Sequence, residues 1–172
     1  MRLRYITTVA AMAAALGLIP LAEAQDTASS ELKNDKGESV GSVELTQTPH
    51  GVLFRVDLSG IAPGTHAFHV HTMGRCEPPF TSAGGHFNPE GRKHGLRAAE
   101  GPHAGDMPNL HVPDSGRLTV EILNTAVTLE KGPGTSLFQE GGTALVVHAG
   151  TDDYQTDPAG NAGDRIACGV VQ

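Results

Sequence analysis

The sequence predicts an all-β fold, a sandwich or barrel of about eight strands with two long functional loops. Three observations support this prediction. Apolar and polar residues alternate along several short segments, Gly- and Pro-rich turn signals separate those segments, and no window of a dozen residues carries a helical apolar period. The 22 Gly and 11 Pro of this 172-residue chain agree with frequent turns.

The predicted strands follow one another at short intervals. In residues 52–58 the apolar side chains share one face and the charged ones lie on the other, and residues 117–123 alternate in the same way. The full set, in chain order, is SVGSVELTQT (39–48), VLFRVDL (52–58), HAFHVHT (66–72), RLTVEIL (117–123), AVTLE (126–130), TALVVHA (143–149) and RIACGVV (165–171). Two regions, 73–115 and 150–164, break this pattern, and loops of that length are typically functional or disordered.

The N-terminal segment, residues 1–24, has the features of a secretory signal peptide. Arg2 and Arg4 precede an apolar run at 9–21, and the segment ends in the Ala-Glu-Ala motif of a signal-peptidase site. The run is short for a bilayer span and polar sequence follows it, so a membrane anchor is the weaker interpretation. We expect cleavage, export to the periplasm or the extracellular space, and a single mature domain over 25–172.

Charge and cysteine content narrow the class of protein further. The formal net charge is −7, and removing the predicted signal peptide leaves −8. An acidic chain with no basic cluster is a poor candidate for binding nucleic acid or an anionic membrane surface. The two cysteines, Cys76 and Cys168, form an even pair, which in an exported protein predicts one disulfide, with two buried free thiols as the alternative.

Residues 86–106, HFNPEGRKHGLRAAEGPHAGD, form a loop segment with little to bury. His86, His94, His103 and Asp106 supply three nitrogens and one oxygen, the donor set of closed tetrahedral zinc. Metal coordination would offset the entropy cost of ordering such a loop. The alternative, a solvated loop that happens to be rich in histidine, has to explain four potential ligands in 21 positions.

Three further histidines point to a second site. His69 and His71 are two residues apart in a predicted strand, so both imidazoles lie on one face, and His148 ends another predicted strand. Each feature is weak alone, since a solvated strand face, or a histidine satisfied by its neighbours, would give the same pattern. Imidazole-rich sites suit copper, zinc, iron and nickel, so the residues alone leave the metal open.

Five motifs occur in a fixed order along the chain. They are HAFHVHTMGRC, SAGGHFNP, HAGDMPNL, LVVHAGTDDY and GNAGDRIACGVV. Together they resemble the copper/zinc superoxide dismutase family in its exported bacterial form, over residues 32–171. The resemblance implies an eight-stranded Greek-key β-barrel with one copper and one zinc ion per subunit. It also implies an antioxidant oxidoreductase that converts superoxide to molecular oxygen and hydrogen peroxide by cycling Cu(II) and Cu(I).

The same resemblance implies roles for individual residues. The implied copper ligands are His69, His71, His86 and His148. The implied zinc ligands are His86, His94, His103 and Asp106. His86 would therefore bridge the metals and transfer a proton during catalysis. Asp152 matches the aspartate that links a copper histidine to a zinc histidine, and Arg165 matches the arginine that holds superoxide beside the copper. A surface salt bridge to Asp164 is the alternative role for Arg165. Cys76 and Cys168 match the family disulfide.

The sequence departs from the animal members in its charged residues. The segment before the matched arginine, residues 152–164, contains no lysine, although lysines there help to attract superoxide in animal relatives. We therefore expect Arg92, Lys93 or Arg97 to contribute positive potential near the site.

Two other features bear on assembly and on the unassigned histidines. Segment 76–82 is longer than in animal relatives, where it forms part of the dimer contact, so a homodimer of this chain would use a different interface. His50, His66 and His111 match no ligand position, and we expect them in turns or at the surface.

Two functions other than dismutation fit parts of the pattern. A metal carrier of the same fold would bind copper or zinc without turnover, but such relatives typically lack a copper ligand or the arginine, and this chain lacks none. A structural sandwich stabilised by zinc alone would leave His69, His71 and His148 without a purpose.

Overall fold

The computed structural model describes residues 26–172, so the predicted signal peptide, 1–24, lies outside the described residues. Within this range the chain forms nine strands. They are β1 (Thr27–Lys33), β2 (Ser39–Thr48), β3 (Gly51–Leu58), β4 (Gly64–His66), β5 (Phe68–His71), β6 (Leu110–Val112), β7 (Leu118–Asn124), β8 (Ala144–His148) and β9 (Arg165–Val170). A single 3-10 turn covers Thr81–Ala83. In this part of the chain, no helix is long and apolar enough to span a bilayer.

Seven strands form one antiparallel sheet in the order β5-β8-β9-β1-β2-β3-β7, and β4 pairs with β6. The neighbours β3 and β7, like β5 and β8, are far apart in the chain, as in Greek-key connections. The main core contains Phe68 from one end of this sheet and Ile122 from the other, so the sheet curls around a single apolar interior. The predicted all-β barrel is confirmed.

The buried face of each strand follows from its alternation of side chains. In β3, Val52, Phe54 and Val56 are fully buried, as their spacing predicts. Each such side chain contributes about 1.5–3 kcal/mol by leaving water. We expect Phe54→Ala to cost about 3–5 kcal/mol, because it leaves a cavity in this closed core.

Strand count and position differ from the prediction in three places. Residues 126–130 form no strand and make one isolated bridge, Thr128 to Ser136, so that prediction was wrong. Strand β1 was not predicted, because one of its inward positions is occupied by polar Ser30. The segment 66–72 divides at Ala67, whose backbone bonds to Gly150 and His148 instead of to β6, so β4 and β5 are separate strands.

A second, smaller cluster lies on the outer side of β8 and β9. It contains Phe80, Ala83, Val146 and Cys168, the disulfide cysteine that lies on β9. Cys76 and Cys168 form a disulfide with a Cα–Cα distance of 5.5 Å, which confirms the predicted pairing and excludes two free thiols. The segment that leads to His86 is therefore fastened to β9.

Candidate metal centre

Three histidines project from the outer side of the sheet because they alternate with core residues. In β5, Phe68 and Val70 belong to the main core, so His69 and His71 face the opposite way. His148 ends β8, the strand that pairs with β5. All three imidazoles are buried, since the two long loops cover this face of the barrel.

A fourth histidine joins them from the longer loop. His86 forms an isolated antiparallel bridge with His71, and its ring centroid lies 4.0 Å from that of His69. One potential ligand atom from each of these four residues lies within 4.8 Å of the others. The structure thus brings together the four residues that the resemblance implies as copper ligands.

Unpartnered nitrogens mark the centre of this cluster. Among residues 26–172, five buried side-chain polar atoms have no hydrogen-bond partner, and four of them are imidazole nitrogens. They are His69 Nδ1, His71 Nε2, His86 Nε2 and His148 Nε2. A buried polar atom without a partner costs about 1–3 kcal/mol, so four in one place indicate a missing common partner.

The other ring nitrogen of each strand histidine is held by an acceptor. His69 Nε2 donates to Asp152 Oδ2 at 2.8 Å, His71 Nδ1 to the Gly84 carbonyl at 2.9 Å, and His148 Nδ1 to the Gly163 carbonyl at 3.2 Å. In a neutral imidazole the remaining nitrogen then carries a lone pair. The lone pairs of His69, His71 and His148 therefore point into the space that His86 Nε2 also faces.

Burial keeps His71, His86 and His148 neutral. Desolvation lowers the pKa of His148 to about 3 and that of His86 to about 4, and it lowers the pKa of His71 well below its usual value. Four buried imidazole nitrogens without a hydrogen-bond partner fit a transition-metal ion such as copper.

A second cluster surrounds one oxygen of Asp106. Its Oδ1 lies 2.9 Å from His86 Nδ1, 3.0 Å from His94 Nδ1 and 3.4 Å from His103 Nδ1. Tetrahedral zinc with bonds of about 2.0–2.1 Å separates its ligands by about 3.3 Å, so these spacings fit the ion. The other carboxylate oxygen accepts the backbone N–H groups of Gly95 and His103, which fixes the orientation of Asp106.

Asp152 joins the two clusters. Its Oδ2 accepts from His69 Nε2 at 2.8 Å and its Oδ1 from His94 Nε2 at 2.9 Å. Burial raises the pKa of Asp152, but these hydrogen bonds outweigh it and bring the pKa below its usual range. The ionised carboxylate therefore fixes the ring orientation of one histidine in each cluster.

Arg165 lies at the edge of the first cluster. Its guanidinium donates to the Phe80 carbonyl at 2.6 Å and to the Gly84 carbonyl at 2.7 Å. The Gly84 carbonyl also accepts from His71 Nδ1, so the guanidinium lies beside that ring. After burial, the positive charge of Arg165 is one of the causes that lower the pKa of His71 and His148. None of the ion pairs formed by the described residues involves Asp164, so the structure does not support the alternative salt bridge.

Several contacts at this centre were not predicted from the sequence. Asn109 holds the backbone of Asp152 with two hydrogen bonds, of 2.9 and 3.0 Å. His66 was expected in a turn or at the surface, which was wrong. It is buried, and its ring contacts the carbonyls of His148 and Ala62. The motif HAGDMPNL contains Asn109, but nothing in its pattern indicated this partner.

Comparisons with known proteins agree with this geometry. The family model for copper/zinc superoxide dismutase (SODC) matches residues 39–171. "Superoxide dismutase [Cu-Zn] 1" of Aquifex aeolicus is 58% identical over 83% of this chain and 85% of its own length. The corresponding protein of Caulobacter vibrioides is 41% identical over 85% of this chain and 86% of its own length.

Solved structures with the same fold include two bacterial proteins. A SOD-like protein from Bacillus subtilis superposes with a TM-score of 0.81 at 36% identity, covering 84% of this chain and 97% of that one. The Cu/Zn superoxide dismutase of Brucella abortus gives a TM-score of 0.68 at 28% identity, covering 85% of this chain and 99% of that one.

Proposed function

Since the chain belongs to the copper/zinc superoxide dismutase family and converts superoxide to molecular oxygen and hydrogen peroxide, we propose that the four imidazoles with unpartnered nitrogens hold its copper ion. These are His69, His71, His86 and His148. The observation that carries the proposal is the convergence of four buried lone pairs with no donor among them. Bound copper supplies one-electron chemistry, because it alternates between Cu(II) and Cu(I).

His86 is the proton-transferring residue of this proposal. Its Nδ1 faces the Asp106 cluster while its Nε2 faces the other three imidazoles, so one ring serves both sites. When His86 Nε2 carries a proton, that proton is readily released, since burial lowers the pKa of this imidazole to about 4. Reduction of superoxide to hydrogen peroxide takes one electron, which bound copper would supply, and two protons, of which His86 would give one and solvent the other.

Arg165 binds and orients the anionic substrate. Two of its five N–H groups donate to backbone carbonyls, which fixes the plane of the guanidinium and leaves the others for superoxide. A planar, immobilised cation provides charge-assisted hydrogen bonds without an ordering cost when the substrate arrives.

We assign zinc, which has no redox chemistry, to the second cluster. Its ligands are His86, His94, His103 and Asp106. Coordination there would order the middle of a loop that the barrel strands hold at its two ends, near His86 and near Asp106, and it would fix Nδ1 of His86.

A single substitution separates the two metal assignments. His148→Ala removes one proposed copper ligand and none of the four zinc ligands, so we expect zinc content and fold to persist while dismutase turnover is lost. His111→Ala is the matched control, because that histidine is exposed and lies outside both clusters. Turnover by His148→Ala at the rate of the control would overturn the copper assignment.

We also propose that the chain is exported and cleaved after residue 24. The signal-like sequence and the disulfide support this, since disulfides persist in oxidising compartments. The mass of the protein purified from a periplasmic fraction or culture medium should correspond to residues 25–172 with the disulfide intact. An uncleaved cytoplasmic product would contradict the proposal.

The proposed oligomer is a homodimer that buries β7, the strand at one edge of the sheet. Leu123 is 47% exposed on the outer face of this strand, whereas Leu118 and Val120 lie on its inner face, pack against the main core and are only partly buried. A second copy that covers this edge would bury apolar side chains of both faces without using the disulfide segment. Leu123→Lys should lower the sedimentation coefficient to that of a monomer, and a native protein that sediments as a monomer would refute the dimer.

Of the three cations in the loop of residues 86–106, Arg92, Lys93 and Arg97, we assign the attraction of superoxide to Arg97. Arg92 pairs with Glu90 at 2.6 Å and Lys93 with Asp157 at 3.5 Å, whereas the guanidinium of Arg97 lies over the Tyr154 ring. Arg97→Gln should reduce the salt dependence of kcat/KM, because its charge is not offset by a paired carboxylate. An unchanged salt slope would sink this assignment.

A further inference from the structure

We propose that Tyr154 is a positioning residue that couples the zinc loop, residues 86–106, to the Asp152 bridge. The inference rests on the proposed zinc ligands and adds a residue that touches neither metal cluster directly. Tyr154 lies two residues after Asp152, in left-handed backbone conformation with φ of 64°. Few non-glycine residues adopt this conformation, so contacts around Tyr154 must stabilise it.

Tyr154 uses all three of its polar groups at this junction. Its N–H donates to Asp152 Oδ1 at 2.6 Å, its carbonyl accepts the N–H of Arg97 at 3.0 Å, and its phenol oxygen accepts the N–H of Asn109 at 2.6 Å. One residue therefore bonds to the bridging carboxylate, to the zinc loop and to the segment that follows the last zinc ligand.

Packing fastens the zinc loop to the same residue. Gly95 passes so close to the carbonyl of Tyr154 that any β-carbon there would collide with it, and Gly95 has a φ of +110°. The N–H of Gly95 donates to Asp106, and the guanidinium of Arg97 lies 5.5 Å from the centre of the Tyr154 ring. The loop is thus held against Tyr154 on both sides of Leu96.

The phenol oxygen completes a chain of contacts to the metal clusters. It holds Asn109, whose side chain makes two hydrogen bonds to the backbone of Asp152. Asp152 in turn orients His69 and His94. Loss of the phenol oxygen leaves the Asn109 N–H without its partner and loosens the support of the bridging carboxylate.

The test is Tyr154→Phe, with Thr156→Val as the matched control. Both variants lose one hydroxyl from the same loop, but the Thr156 hydroxyl bonds only within that loop, to Asp153 and Asn161. Zinc release from the protein into excess chelator is measured for both variants and for the wild type. Supporting groups around metal ligands change metal affinity about 10- to 100-fold, so we expect release to be about tenfold faster in Tyr154→Phe. Release from the control should stay within about twofold of the wild type.

Cobalt(II) bound at the zinc site provides a second readout. Its d–d absorption bands depend on ligand geometry, so they should shift in Tyr154→Phe and stay unchanged in Thr156→Val. Equal release and equal bands in the two variants would overturn the role of Tyr154. A wild-type protein that fails to retain one zinc ion would instead overturn the proposed zinc ligands, and the inference with them.

Discussion

Removing the disulfide should cost much of the stability of this protein and also disturb the substrate-binding arginine. The perturbation is the double variant Cys76→Ala/Cys168→Ala. The cysteines are 92 residues apart, and on the chain-entropy model a crosslink over that distance stabilises the fold by about 4–5 kcal/mol. This is a large part of the 5–15 kcal/mol by which domains are typically stable, as an order of magnitude.

The functional effect follows from what the bridge fastens. The segment after Cys76 carries the carbonyls of Phe80 and Gly84, which accept from Arg165, and the second of these also accepts from His71. Without the bridge, this segment is held by the small cluster of Phe80 and Ala83 and by two backbone hydrogen bonds from Thr72 and Met73. We expect kcat/KM to fall because Arg165 loses its fixed position, even when the metals are bound.

The assay is urea unfolding of the metal-free double variant and the metal-free wild type, each under oxidising and reducing conditions. The variant should lose about 4–5 kcal/mol relative to the oxidised wild type, and the reduced wild type should match it. A loss below about 1 kcal/mol would refute the chain-entropy reasoning. An unchanged kcat/KM in the metal-loaded variant would refute the anchoring of Arg165.

Three further predictions concern the site itself. Asp152→Asn should weaken zinc binding about 10- to 100-fold in chelator competition, because an amide cannot accept from two imidazoles through two oxygens; full affinity would contradict this. Arg165→Lys keeps the charge but loses the planar fork, so kcat/KM measured by pulse radiolysis should fall about tenfold, the value of one charge-assisted hydrogen bond; an unchanged rate would show that charge alone suffices. The free energy of unfolding of the metal-free protein should peak near pH 6.5, the ordinary histidine pKa. Burial lowers the pKa of His148 to about 3 and of His86 to about 4, so stability is lost as the pH falls from 6.5 toward these values. For His94, burial lowers the pKa, but hydrogen bonds to two carboxylates outweigh burial and raise the pKa to about 9. The stability that His94 contributes is therefore present below pH 6.5 and is lost as the pH rises through 9. A flat urea-midpoint profile from pH 4 to 10 would contradict these shifts.

The strands were predictable where alternation and apolarity coincide. Strand β3 was predicted within a residue, because its inward positions are all large and apolar. Strand β1 was not, since Ser30 at an inward position conceals the period, and β4 and β6 are only three residues long. Residues 126–130 have strand composition but use side-chain acceptors, such as Gln47 for the Leu129 N–H, in place of a ladder.

The metal clusters were predictable in part. The loop histidines and Asp106 have a zinc-like donor set in the sequence itself, whereas joining His69 and His148 to His86 required the resemblance. The supporting contacts could not be predicted in the same way. The carbonyls of Gly84 and Gly163 act through the backbone, which leaves no side-chain signal.

The most direct test of the copper site is the superoxide consumption rate of the mature, zinc-loaded protein during a copper titration. If four converging lone pairs form one catalytic site, the rate should rise linearly and break at one copper ion per chain. A flat rate despite stoichiometric copper uptake would contradict the account, and would mean that this site stores or carries copper without turning over superoxide.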